Sequence, residues 1–175
     1  MKGNLVMMIL VVAMGSATLV FAQTGGSTPV ADGIVGQSEY ANVQQDNRMS
    51  VYSTVTSSTL YIAVTAPTDG WVAVGLGTSK MNGATIFMGY VDDNLTPQTT
   101  MQRGSGHSHS ASQEFTPISQ VVGSANGTTT LEIAVNRADF AQAGQRQLDY
   151  IYAYGTAKNF RTRHVFRNAG VLTLQ

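Results

Sequence analysis

From Met49 onward the chain alternates apolar and polar positions with a period of two. Residues 49–56 (MSVYSTVT) alternate, Ser57-Ser58 marks a turn, and residues 59–65 (TLYIAVT) resume the pattern with β-branched side chains. Together they predict a hairpin. Pro67-Thr68-Asp69-Gly70 is a turn sequence. Residues 71–77 (WVAVGLG) are apolar at successive positions, which predicts a central strand covered on both faces. A loop containing Ser79, Lys80, Met81, Asn82 and Gly83 leads to a predicted strand over residues 84–91 (ATIFMGYV). Residues 95–112 are polar and read as irregular. Strands are predicted over residues 118–122 and 129–135, separated by the turn Ala125-Asn126-Gly127. Asn136 is placed to cap a short helix to about residue 143, which Gly144 ends. Residues 148–154, 163–167 and 171–174 are the predicted closing strands. Many short strands at regular spacing, with one short helix, predict an all-β, immunoglobulin-like β-sandwich without repeats or a second domain.

The N-terminus is patterned differently. Lys2 gives a positive start, residues 5–13 (LVMMILVVA) form an apolar run, and Val20-Phe21-Ala22 offers small residues where a signal peptidase reads. This predicts a secretion signal over residues 1–22, cleaved before Gln23. The apolar run is short of the roughly 20 residues a membrane span needs, and no second run follows, so no stable span is expected after cleavage. Residues 23–31 begin with a Gly/Ser/Thr/Pro tract (QTGGSTPV) and read as a flexible leader. Residues 32–175 are the expected folded domain. The protein is expected to be exported, either periplasmic or secreted.

Charge and cysteine content narrow the chemistry. Ten Lys+Arg balance ten Asp+Glu in the full chain, and removal of Lys2 with the signal leaves nine against ten. That balance gives no reason to expect nucleic acid as a partner. Cysteine is absent. Disulfides, thiolate metal sites, covalent haem attachment through Cys-x-x-Cys-His and a lipoprotein anchor are therefore all excluded.

The most specific stretch is Gly70-Trp71-Val72-Ala73-Val74-Gly75-Leu76-Gly77, followed by Lys80-Met81-Asn82-Gly83-Ala84 and then Phe87-Met88-Gly89-Tyr90-Val91. It resembles the DOMON family, found in dopamine β-monooxygenase and in the cytochrome parts of several extracellular redox proteins. The resemblance runs from about Asp32 to the C-terminus. It implies a β-sandwich that holds either haem b or a sugar-like ligand. In haem-binding members the axial ligands are a methionine in the Met-x-Gly-Ala turn and a histidine near the C-terminal strands. The matching positions here are Met81 and His164, the latter within Asn159-Phe160-Arg161-Thr162-Arg163-His164-Val165-Phe166. The Arg-rich approach to His164 departs from the family pattern, and so does His107-Ser108-His109.

Haem held without a covalent tether needs strong axial ligands, and a Met/His pair suits electron transfer because the thioether favours Fe(II). Trp71, Phe87, Tyr90, Tyr154, Phe160 and Phe166 are candidates to line a slot for the macrocycle, with Tyr152 as a further aromatic. Arg163, with Arg161 or Arg167, is a candidate partner for the propionates. The expected function is an exported b-type cytochrome domain that passes single electrons to a redox partner protein or small-molecule carrier, not an enzyme by itself. The alternative is a small-ligand or carbohydrate-binding module of the same sandwich without a redox role. Other readings of the same residues are weaker. Met81 outside the resemblance is a gap-filling residue, Met88 reads as core, and His164 as an ordinary strand histidine. His107 and His109, if on one strand, would face the same way and offer a copper ion two ligands, too few without a third. Asp92-Asp93-Asn94 reads as a turn, lacking EF-hand spacing. Glu114 and Glu132 are isolated, and no Gly-x-Ser-x-Gly elbow occurs.

Overall fold

The computed structural model describes residues 28–174. The predicted signal and most of the predicted leader lie outside the described residues. Among the described residues no helix is long and apolar enough to cross a membrane.

Among the described residues, eleven strands form two antiparallel sheets. Sheet A contains β1 (Asn42–Gln45), β2 (Ser50–Val55), β3 (Thr59–Ala66), β9 (Thr128–Asn136) and β8 (Ser119–Ala125), in that order. Sheet B runs β11 (Phe166–Thr173), β10 (Gln147–Tyr154), β4 (Val72–Leu76), β5 (Thr85–Val91), β6 (Pro97–Ser105) and β7 (Ser108–Ala111). The strand predictions in the apolar stretches hold within a few residues. The hairpin turn before β9 has positive φ at both Asn126 (52°) and Gly127 (74°), the conformation for which Asn-Gly is favoured.

Four expectations are corrected. Residues 95–112, read as irregular, contain the hairpin β6–β7; these strands lie at the rim of sheet B and carry mostly polar side chains, which hides the period. β1 was missed for the same reason: all four of its residues are exposed. The helix expected after Asn136 is a single 3-10 turn at Arg137–Asp139, and Asn136 makes no side-chain cap. A helix that short cannot repay its nucleation. The two closing strands predicted after residue 163 are one strand, β11, paired continuously with β10 from Phe166↔Tyr154 to Thr173↔Gln147.

Alternation sets the core. Leu60, Ile62 and Val64 of β3 and Leu131, Ile133 and Val135 of β9 meet Val72, Val74 and Leu76 of β4, Phe87 of β5 and Tyr150 and Tyr152 of β10. Val72, Leu60, Val64, Phe87 and Leu131 are fully buried. A Cβ at Gly89 would come within 2.8 Å of the Val122 side chain, so a glycine there lets the sheets approach. Tyr150 and Tyr152 reach the sandwich end through their hydroxyls, to Gln44 at 2.6 Å and Asp46 at 2.7 Å. Burial pushes the Tyr150 hydroxyl up to about 12, so it is a donor at neutral pH.

The outer face of sheet A is closed by the segment before β1. The buried Glu132 carboxylate accepts from the amides of Asp32 (2.9 Å) and Gly33 (2.7 Å) and from the Tyr40 hydroxyl (2.7 Å). Glu132, isolated in the sequence, thus ties residues 32–40 to β9.

Candidate functional site

β4 is buried at all five positions, as expected of a strand covered on both sides. Its inner face belongs to the core. Its outer face belongs to a second apolar cluster: Trp71, Ala73, Ala84, Ile86 and Met88 are buried, with Met81, Tyr90, Ile151, Ala153 and Phe160 packed against them. The register explains the face: Ala73 pairs with Met88 and with Ala153, and Gly75 with Ile86 and with Ile151. Small residues at 73, 75 and 153 keep this floor shallow.

Two segments close on the floor from opposite ends. At the end where β4 begins lies the strap from Gly155 to Val165. It is held by backbone bonds Gly155 N–H to Trp71 O (2.9 Å) and Trp71 N–H to Ala157 O (3.3 Å). The Trp71 indole N–H donates to Thr162 O at 3.2 Å. A Cβ on Gly155 would collide with the indole. Phe160 packs edge-on against Tyr90, with centroids 4.8 Å apart. Asn159 accepts from the amides of Arg161 and Thr162 at 2.9 Å each. Lys158 reaches Asp93 at 2.8 Å; an exposed pair of this kind contributes little. Phe160→Ala is therefore expected to loosen the strap by about 1–2 kcal/mol. Amide exchange across residues 157–163 should accelerate about 5–30-fold while the exchange of β9 stays unchanged.

At the other end, where β4 ends, Met81 sits in the turn Met81-Asn82-Gly83-Ala84. Ala84 N–H donates to Met81 O (3.0 Å), and Gly83 takes φ +83°. The β6–β7 hairpin fastens the turn: Gly83 N–H to Gly104 O (2.9 Å), Gly104 N–H to Ala84 O (2.9 Å) and Gly106 N–H to the Asn82 side-chain oxygen (2.9 Å). Met81 lies directly against Gly104, where any Cβ would collide with the Met81 carbonyl oxygen.

The sequence-predicted residues divide between the two faces. Met81, Trp71, Tyr90 and Phe160 share the outer face of sheet B. Phe87, Tyr154 and Phe166 do not: Phe87 and Tyr154 belong to the core between the sheets and Phe166 packs against it. Tyr152 is likewise a core residue, and Met88 is buried on the outer face. His164 is half-buried at the end of the strap, immediately before the Val165 amide bonds to Tyr154 O. Burial pushes its imidazole below the ordinary 6.5, and Arg167 and Arg163 push it the same way. At neutral pH its ring is uncharged, the state in which a nitrogen lone pair can ligate a metal. Arg163 is exposed beside it.

His107 and His109 do not lie on one strand. His107 occupies the exposed turn of the β6–β7 hairpin, whereas His109 is in β7 opposite Gly104. His109 Nδ1 contacts the side-chain oxygen of Gln102. Among the described residues no group of three or more His, Asp or Glu side chains is placed to hold a metal ion. Asp92 is a turn residue, accepting from the amides of Asn94 and Thr96 at 2.9 Å each. Two surface clefts, one beside the 3-10 turn and one beside residues 45–50, involve neither Met81 nor His164.

A two-sheet β-sandwich with a covered outer face on one sheet defines the class of protein. The sequence model of the DOMON domain matches residues 45–155, and the chain belongs to that family. No curated protein sequence matches it. Among solved structures it is similar to the cytochrome b domain of pyranose dehydrogenase from Coprinopsis cinerea. That match has 13% identity and a TM-score of 0.54, covering 71% of this chain and 75% of that one. The cytochrome domain of Myriococcum thermophilum cellobiose dehydrogenase matches at 12% identity and a TM-score of 0.52, covering 73% of this chain and 75% of that one. A family 9 carbohydrate-binding module from Caldicellulosiruptor kristjanssonii, in complex with cellotriose, matches at 12% identity and a TM-score of 0.48, with 82% and 80% covered.

Proposed function

We propose that this protein is an exported b-type cytochrome domain. Met81 and His164 are the residues that would hold one haem b. The observation that carries the reading is the arrangement of donors. Met81 packs on the apolar outer face of sheet B from the turn after β4, and His164, a neutral imidazole, closes the strap at the end where β4 begins. The donor chemistry of this pair, a thioether and a neutral imidazole, fits haem iron. The cytochrome domains named above lend the reading support by their fold.

Bound haem b would supply a one-electron Fe(III)/Fe(II) couple. The chain's own residues do the rest. Trp71, Ile86, Met88 and Phe160 exclude water from the floor. Gly104 and Asn82 fix the turn that carries Met81. Arg163, exposed beside His164, is the partner for a propionate. Held by Met81 and His164, the haem would supply one-electron transfer to a redox partner protein or small carrier, and the protein would act as a relay rather than as an enzyme. Trp71 is 4% exposed beneath the strap, so with the strap closed its ring is open neither to a sugar nor to a macrocycle. A copper site at His107 and His109 has two ligands at most.

The test is spectroscopic. Mature protein reconstituted with haemin should give a six-coordinate, low-spin spectrum with a sharp reduced α-band. Met81→Ala and His164→Ala should each convert it to a five-coordinate or high-spin form. Failure to take up haemin, or variants with unchanged spectra, would overturn the assignment.

A further inference from the structure

We propose that the arginines of the strap and of the start of β11 form a docking surface for a protein partner bearing an acidic patch. Residues 158–167 carry Lys158, Arg161, Arg163 and Arg167 and no Asp or Glu, while an exposed carboxylate, Asp149, lies opposite Val171 further along β11. Lys158 is engaged by Asp93. Arg161, Arg163 and Arg167 are exposed, and among the described residues the two ion pairs, Arg103–Glu114 and Lys158–Asp93, leave all three out.

Arg161, Arg163 and Arg167 lie within seven consecutive residues, at the end of the strap and the start of β11. The Arg48 guanidinium, from the turn between β1 and β2, stands 5.6 Å over the Phe166 ring. The carboxylate of Asp46 in the same corner accepts from the Tyr152 hydroxyl (2.7 Å) and from the amides of Arg48 and Met49 (2.8 Å each) and stays charged, so it offsets Arg48 and leaves the arginines of the strap and β11 as the excess. Arg161 and Arg167 are like charges that neither ion pair includes, and a complementary surface relieves their repulsion.

Apolar exposure beside the charge favours a protein as the occupant. Val165 is 51% and Val171 48% exposed. Arg167, Ala169 and Val171 pair with Ala153, Ile151 and Asp149 of β10, so they project from one face of an edge strand. Apolar contact mixed with arginine is the composition of protein interfaces. An anionic polysaccharide would instead want open aromatic rings, and here Phe160 is packed on Tyr90 and Phe166 lies under Arg48. The surface borders His164. Only the consequence that docking brings an acidic partner to the iron rests on the haem reading; the docking itself does not.

The test measures binding of the mature chain, with and without haem, to immobilised poly-L-glutamate and to polygalacturonate. Poly-L-glutamate should retain the protein at low ionic strength and release it as salt approaches physiological levels. The double variant Arg161→Glu/Arg167→Glu should bind about tenfold more weakly or worse. Arg146→Glu, an equal charge change at the opposite end of sheet B, should alter binding less than about twofold. Unchanged thermal unfolding of each variant shows that the fold is kept. No retention on poly-L-glutamate, equal loss in Arg146→Glu, or tighter binding to polygalacturonate would overturn the proposal. Protein that refuses haemin yet shows the expected binding pattern would sink the cytochrome reading and leave the docking surface standing.

Discussion

Glu132→Ala is expected to destabilise the protein by about 3–5 kcal/mol, the cost of leaving two amides and a hydroxyl without their acceptor and of opening a gap beneath them. The carboxylate is fully buried and accepts three hydrogen bonds, from Asp32, Gly33 and Tyr40. Its removal leaves two amides and a hydroxyl without their acceptor and opens a gap under residues 32–40. At a few degrees per kcal/mol for a domain of this size, the melting temperature should fall by roughly 10 °C. Tyr40→Phe removes one bond of the three and should be milder, about 1–3 kcal/mol. Amide exchange separates a detached segment from general weakening, because Asp32 and Gly33 should lose protection before β3 and β9 do. Burial, the largest influence on Glu132, raises its pKa in the folded chain above the ordinary 4.5. The folded state then binds more protons than the unfolded one above that pH. The advantage of wild type over Glu132→Ala should accordingly be greatest in acid and shrink as pH rises through the raised pKa. An advantage that grows with pH would overturn this account.

Glu132 also shows what a linear reading misses. A lone Glu inside TTTLEIAVN is visible as an anomaly, but its partners are 92 to 100 residues away and carry no local mark. The strands that were legible, β2, β3, β5, β9 and β10, owe it to β-branched or aromatic residues at alternate positions with one face against the core. β6, β7 and β1 were not, because rim strands lack that contrast. β4 was legible as central, yet its apolar residues on both faces hid which face its neighbours would share. This is why Phe87, Tyr154 and Phe166 were grouped with Met81: one residue of register separates Phe87 in the core from Met88 on the outer face. The Met81 turn was legible through Gly83 and Ala84. Its seat, Gly104, was not, since nothing in a polar stretch says which residue another segment will lie against.

That seat carries the second large effect. Gly104→Ala should displace Met81 even though the substituted residue is 23 positions away. The backbone of Gly104 is bonded on both sides, donating to Ala84 O and accepting from Gly83, at 2.9 Å each. β6 therefore cannot retreat without breaking both bonds. The new Cβ would collide with the Met81 carbonyl oxygen and stand 2.8 Å from its carbonyl carbon and 3.3 Å from its Cγ. The clash is with backbone, so no rotamer change relieves it. The turn must shift as a unit and the thioether with it. In haem-free protein the Met81 methyl resonance should move while those of the core stay in place. In haem-loaded protein, under the ligation proposed above, Gly104→Ala should give the spectrum of Met81→Ala. The double variant should then change nothing further, the non-additivity expected of two changes acting through one group. A wild-type methyl shift together with a wild-type spectrum would show that the turn absorbs the methyl group and that Gly104 does not position Met81. A shifted methyl with an intact low-spin spectrum would place the iron's second ligand elsewhere, and His109, opposite Gly104 on the neighbouring strand, is the residue to change next.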